Sequence, residues 1–235
     1  MSKVDSTGQV HRFLVFNTVP FLFLCIGSTL TSQEILRGEI AVNMEPIYGF
    51  TVDPDYPLDI DHASRRALEE ASYLFSAIIY GWAFDYTVGE NDRGIAESLE
   101  LTPVGTISWG DPNLKVTETR VQHMHLYIWA DYRLSPDQIR RLNLMKESKV
   151  RLIQTTGHTG LEGISWINIR QNALHDAARQ AIRKSLEGSV WNKPRGVQGY
   201  INLEQFPRYW IDSGIWSVYA RFRLRFTVTE PFSVY

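Results

Sequence analysis

Two stretches of the chain share one pattern of small apolar and polar positions, and a long strand-like alternation follows each. From Asn168 to Gly188, Leu174, Ala178, Ala181, Ile182, Ser185 and Leu186 recur at steps of three and four, which puts them on one face of a helix. Asn168 can cap its start with Gln171 reaching back, and Gly188 can close its end in a left-handed conformation. Over 59–80, Leu68, Ala71, Phe75 and Ile78, continued by Trp82, make the same stripe. Asp59 or Asp61 serves as cap and Gly81 as stop. The shared motif is A-x-R-x-A-[LI]-x-x-[AS]. It is Ala63, Arg65, Ala67, Leu68 and Ala71 in one copy, and Ala177, Arg179, Ala181, Ile182 and Ser185 in the other. Alanines of this kind let a helix lie close on a sheet.

Strands surround each helix. Glu39 to Glu45, Phe84 to Val88 and Leu101 to Trp109 read as short strands, and Glu90 to Glu100 as a polar helical turn or two. Val116 to Leu134 alternates as one strand, with Met124, Leu126, Ile128, Ala130, Tyr132 and Leu134 on its apolar face. Ser135-Pro136-Asp137-Gln138 starts a connector helix. Val150 to Thr156 is a strand, and Gly157, Gly160 and Gly163 then punctuate a loop. Lys193 to Gly199 is turn-rich, and Tyr200 to Leu203 and Arg208 to Ile211 are short strands. Ile215 to Thr229 closes the chain, with Trp216, Val218, Ala220, Phe222, Leu224, Phe226 and Val228 inward. This order implies an α+β fold of two β-α-β-β-like repeats, with helices packed on antiparallel sheets. The repeats occupy 33–134 and 150–235, joined by a connector at 135–149.

The N-terminus changes the picture of where the protein works. A polar start with Lys3 and Arg12 leads into the largely apolar Phe13 to Gly27, then into Ser28, Thr29, Thr31 and Ser32. That order is a secretory signal peptide over 1–32, with the mature chain beginning at Gln33. Retention as an anchor and lipidation at Cys25 are the alternatives, and bulky Leu24 argues against the second. The single cysteine excludes an internal disulfide framework and a cysteine-based zinc site. A formal charge of −2 argues against a general nucleic-acid binder.

The run from Leu174 to Leu186, followed by short strands and a strongly alternating last strand, resembles the N-terminal domain of the flagellar ring protein FlgT and related small envelope lipoproteins. The likeness covers about 150–229, with a fainter echo at 39–134. It implies export to the periplasm or outer membrane, a structural or assembly role, and no catalytic residues. The chain departs from that pattern in lacking a good lipobox and in carrying two copies.

Candidate chemistry is sparse. His123 and His125, two apart on a strand with Asp131 further along, could share a metal, but no further ligand is identifiable, so no metal is expected. The loop Gly157 to Gly163 lacks the G-K-[ST] of a phosphate cradle. His158, Ser165 and Asp176 form a triad only if geometry is ignored. Asp59, Asp61, Glu69 and Glu70 are explained by capping and solvation. Phe206, Tyr209, Trp210, Trp216 and Tyr219 suit core and hairpin packing better than sugar stacking. Arg221, Arg223 and Arg225 line one side of the last strand as a candidate docking stripe for an acidic partner. The leading expectation is a non-enzymatic, exported envelope protein without a cofactor. Its partners would be envelope proteins, flagellar ones among them, or a second copy. A periplasmic protein binding a glycan or small ligand is the alternative, and a hydrolase comes third.

Overall fold

Alternating burial directs β1 (Ile35–Asn43) into a half-covered sheet: Gly38, Ile40 and Val42 point inward, while Arg37 and Glu39 face solvent. The structure, a computed structural model, describes residues 34–46, 55–90, 94–147, 149–160, 166–187 and 194–231. The expected signal peptide, Cys25, Gly163, Ser165 and the Gly188 cap lie outside them. Helix α1 (Ile60–Ile79) begins where the Asp59 carboxylate accepts the His62 N–H at 2.8 Å. Past its end Gly81, at φ 62°, turns the chain at once into β2 (Trp82–Thr87). A Cβ at Gly81 would meet the Ile201 carbonyl at 2.3 Å, so only glycine fits there.

The remaining elements are β3 (Ser98–Pro103), β4 (Leu114–Gln122), β5 (His125–Arg133), α2 (Pro136–Leu144), β6 (Arg151–Gly160), α3 (Trp166–Glu187), β7 (Gly196–Leu203), β8 (Arg208–Asp212) and β9 (Ile215–Glu230). Helix α2 carries the expected capping box of Ser135 and Gln138. Every strand pairing is antiparallel and the fold is α+β. One sheet has the order β1-β5-β4 and the other β3-β2-β7-β9-β6. The long β9 carries β6 along one edge, and β8 then β7 along the other.

Gln33–Tyr235 forms one compact unit. Helix α3 lies across β6 and β9, and α1 lies across β1 and β5 and reaches β7. Each helix therefore covers the first strand and the long strand of its own half. The alanines of the shared motif, Ala63, Ala67, Ala71, Ala177 and Ala181, are fully buried beneath them. The halves differ in one pairing. Strand β7 pairs with β9, whereas its counterpart β2 pairs with β3 and with β7 itself, so both halves contribute to a single sheet.

Burial follows the expected faces of the long strands. Leu126, Ile128, Ala130, Tyr132 and Leu134 are inside, as are Trp216, Val218, Ala220, Phe222 and Leu224. Phe226 is only half-buried, and Val228, expected inward, is exposed where β9 runs past the core. Several expectations are corrected. The supposed single strand from Val116 to Leu134 is a hairpin. His123 and Met124, at φ 49° and 57°, form its two-residue turn, and Met124 is exposed. Ser98 to Glu100 is strand rather than helical turn, and the strand expected to reach Trp109 stops at Pro103. Gly157 and Gly160 lie in β6, and Gly196 to Gly199 in β7, rather than in loops. Helix α3 starts at Trp166, so Asn168 is inside it and cannot be its cap.

Candidate functional site

The most elaborate polar group in the described residues is buried where α1 faces α3. Glu70 follows Ala63 and Ala67 and precedes Leu74 at steps of four, three and four, so it sits on the apolar stripe of α1. Arg170 bears the same relation to Leu174, Ala177 and Ala181 on α3. The two meet. Arg170 Nη1 donates to Glu70 Oε2 at 2.5 Å, and the side chains are only 11% and 3% exposed. Arg170 Nη2 donates to the Ala41 carbonyl of β1 at 2.9 Å. The guanidinium carbon lies 5.0 Å from the Tyr209 ring centre and 5.1 Å from that of Trp216, which pack edge to face. One arginine thus ties together α1, α3, β1, β8 and β9.

Beside it, Tyr73 Oη and His175 Nε2 are 3.3 Å apart, and Trp82 packs against both rings. Burial raises the Tyr73 and Tyr209 phenols, with the Glu70 charge adding to it, so both stay protonated. Burial, and then the Arg179 charge, hold His175 below the ordinary histidine range. The folded state therefore favours neutral imidazole. Its contribution to stability is complete above about pH 6.5 and is lost as pH falls through the depressed folded value. His175→Phe keeps a ring against Trp82 but cannot titrate. We expect its melting temperature to fall less than that of the wild type between roughly pH 6.5 and 5. Parallel curves would show that His175 does not contribute to the acid sensitivity.

The dismissed triad is partly assembled, with a different serine. His158 Nδ1 lies 2.9 Å from Ser217 Oγ, and Asp176 accepts the His158 backbone N–H at 3.0 Å. His158 and Ser217 are cross-strand neighbours of β6 and β9, and Asp176 lies on α3, so the three form no charge relay. Asp176 holds the backbone instead of an imidazole nitrogen, so it cannot fix the tautomer as a triad carboxylate does. Ser217 is 3% exposed, which keeps its hydroxyl from a substrate.

The other candidates are dispersed. His123 occupies the hairpin turn, and His125 Nδ1 lies 2.8 Å from the His123 carbonyl, so the shared strand face does not exist. Asp131 is held by Arg37, with bonds of 2.6 and 2.7 Å. Among the described residues no group of three histidine, cysteine or acidic side chains could hold a metal ion. The aromatic cluster forms no common cleft: Phe206 packs on Phe75, Tyr209 and Trp216 enclose Arg170, and Tyr219 donates to Gln154 at 2.7 Å. The arginines of β9 do alternate with the buried face, but all three are half-buried. Arg223 is ion-paired with Glu204 and donates to the Met145 carbonyl at 3.3 Å.

Of the four carboxylates assigned to capping and solvation, Asp59 caps and Glu69 is solvated, but Glu70 is buried. Glu70, Tyr73, Arg170 and His175 were not expected as a group. The signal was present: two opposite charges, each on an otherwise apolar helical stripe.

The chain matches the profile of a family of uncharacterised Treponema proteins over residues 24–232, and it belongs to that family. It is similar to a protein of Treponema pallidum (strain Nichols) described as an uncharacterized protein, at 26% identity over 249 residues that cover all of both chains. No solved structure matches it.

Proposed function

We propose that this family member is an exported, non-enzymatic envelope protein with a structural or assembly role. One observation carries the reading: the polar groups best suited to chemistry are turned on each other. Glu70 and Arg170 bind one another, with Arg170 against two aromatic rings, and His158 contacts a buried serine. Such an arrangement rigidifies a scaffold and leaves no nucleophile beside a free base within that cluster. The charged, apolar and small-polar order of residues 1–32 supports export. The resemblance to the flagellar ring protein domain supports an assembly role, with envelope proteins or a second copy as partner. On β9, Arg223 is held by Glu204, so Arg221 and Arg225 are what remains of the docking stripe.

Intact mass of the protein taken from its native host tests export. The expected mass is that of a chain beginning at Gln33. A chain that still carries residues 1–32 and fractionates with cytoplasmic proteins would overturn the proposal.

A further inference from the structure

A second constellation lies on the far side of α1, and of its polar groups only Ser76 is committed to described neighbours. Arg65, Glu69, Ser72 and Ser76 follow one another at steps of four, three and four, so they share a face. Ser76 is occupied: its hydroxyl donates to the Ser72 carbonyl at 2.6 Å and accepts the Ile107 N–H at 2.8 Å. Those bonds seat the segment after β3 on the helix. The Val104 N–H donates to the Gly81 carbonyl at 3.1 Å, and Gly105 lies so near Tyr80 that a Cβ would meet its ring at 2.9 Å. Ile107 is buried as a result, while Trp109, two residues on, stands 61% exposed.

The unoccupied part of the stripe, Arg65, Glu69 and Ser72, joins Ile107 and Trp109 around a cavity of about 430 Å³. That size suits a small molecule. Ser72 Oγ is buried without a hydrogen-bond partner. Arg65 and Glu69 are exposed, and neither is paired with another described side chain. Arginine four residues before glutamate is also the weaker order for a helical ion pair. A cation, an anion and an indole therefore converge on one opening, with Ser72 in its lining.

We propose that this groove binds a free amino acid or dipeptide with an apolar side chain. The carboxylate pairs with the planar fork of Arg65, and the ammonium pairs with Glu69. The side chain lies between Ile107 and Trp109. A simple anion would meet the Glu69 charge, and a simple cation that of Arg65, so a zwitterion fits best. This site uses none of the residues that carry the assembly reading, and either can fail without the other.

Calorimetric titration of the chain from Gln33 with L-phenylalanine tests it, alongside L-phenylalaninamide and N-acetyl-L-phenylalanine. The amino acid is expected to bind saturably, and each blocked form roughly tenfold more weakly, the loss of one charge-assisted contact. Arg65→Gln should weaken the amino acid by a similar factor without changing the residual affinity for the amide, which lacks the group Arg65 recognises. Trp109→Ala should weaken all three. Both substituted residues are exposed, so unchanged melting temperatures should accompany the losses. Three results would each overturn the proposal: no saturable binding of L-phenylalanine, L-leucine or L-leucyl-L-leucine at millimolar concentration, equal binding of the blocked forms, or unaltered affinity in Arg65→Gln.

Discussion

Glu70→Ala is expected to destabilise the folded chain by about 3–5 kcal/mol, because it removes the buried carboxylate that balances the Arg170 charge. For a unit of this size that corresponds to a fall in melting temperature on the order of 10 °C. The cause is desolvation. Arg170 is 11% exposed and enclosed by Tyr209 and Trp216, so water cannot replace the lost carboxylate. Two comparisons isolate the effect. Glu69→Ala, one residue earlier on the solvated face, should change stability by no more than about 0.5 kcal/mol. Glu70→Leu combined with Arg170→Met should recover most of the loss, since a well-packed apolar pair is often as stable as a buried ion pair. Chemical denaturation measures all three. A Glu70→Ala variant as stable as the wild type would mean that the pair is hydrated and holds nothing together.

The second large effect is steric. Gly157 lies in β6 directly beneath α3, where a Cβ would come within 2.2 Å of both the Ala173 carbonyl and the Ala177 nitrogen. These are backbone atoms and cannot swing aside, so a side chain must lift the helix off the sheet. Gly157→Val is expected to cost about 3 kcal/mol or more, the upper range for overpacking. It should also expose apolar surface, because Ala173, Ala177 and Ala181 lose their close contact. At Gly160, three residues further along the same strand, an added Cβ meets nothing within 4 Å. Gly160→Ala should therefore be nearly neutral. Equal stability of the two variants by thermal melting would contradict the packing of α3 on β6.

Much of the architecture was legible from periodicity, because helices with one apolar stripe and strands with one apolar face announce their partners. Asp59, the Ser135–Gln138 box and the inward row of β9 from Trp216 to Leu224 stand where propensity and patterning put them. The failures have local physical causes. The turn at His123 and Met124 contains neither glycine nor asparagine, so the alternation runs through it without a break. Gly157 looked like a loop residue because glycine's other use, close approach of a helix to a strand, depends on a partner distant in the chain. The pairing of β2 with β7 is likewise non-local, and nothing in either strand names its neighbour. The Glu70–Arg170 pair was missed because each charge, taken alone, is explained by solvation. Only their common position on apolar stripes distinguishes them from surface residues.

Crosslinking in intact cells of the native host, followed by mass spectrometry of what is bound, tests the proposed assembly role most directly. The account predicts that the mature chain, beginning at Gln33, is captured reproducibly with envelope proteins or with a second copy of itself. It also predicts that neutralising Arg221 and Arg225 together, with Arg223 left to Glu204, weakens that capture while the fold persists. Recovery of the chain as an uncrosslinked monomer, or only with cytoplasmic proteins, would contradict an envelope assembly role.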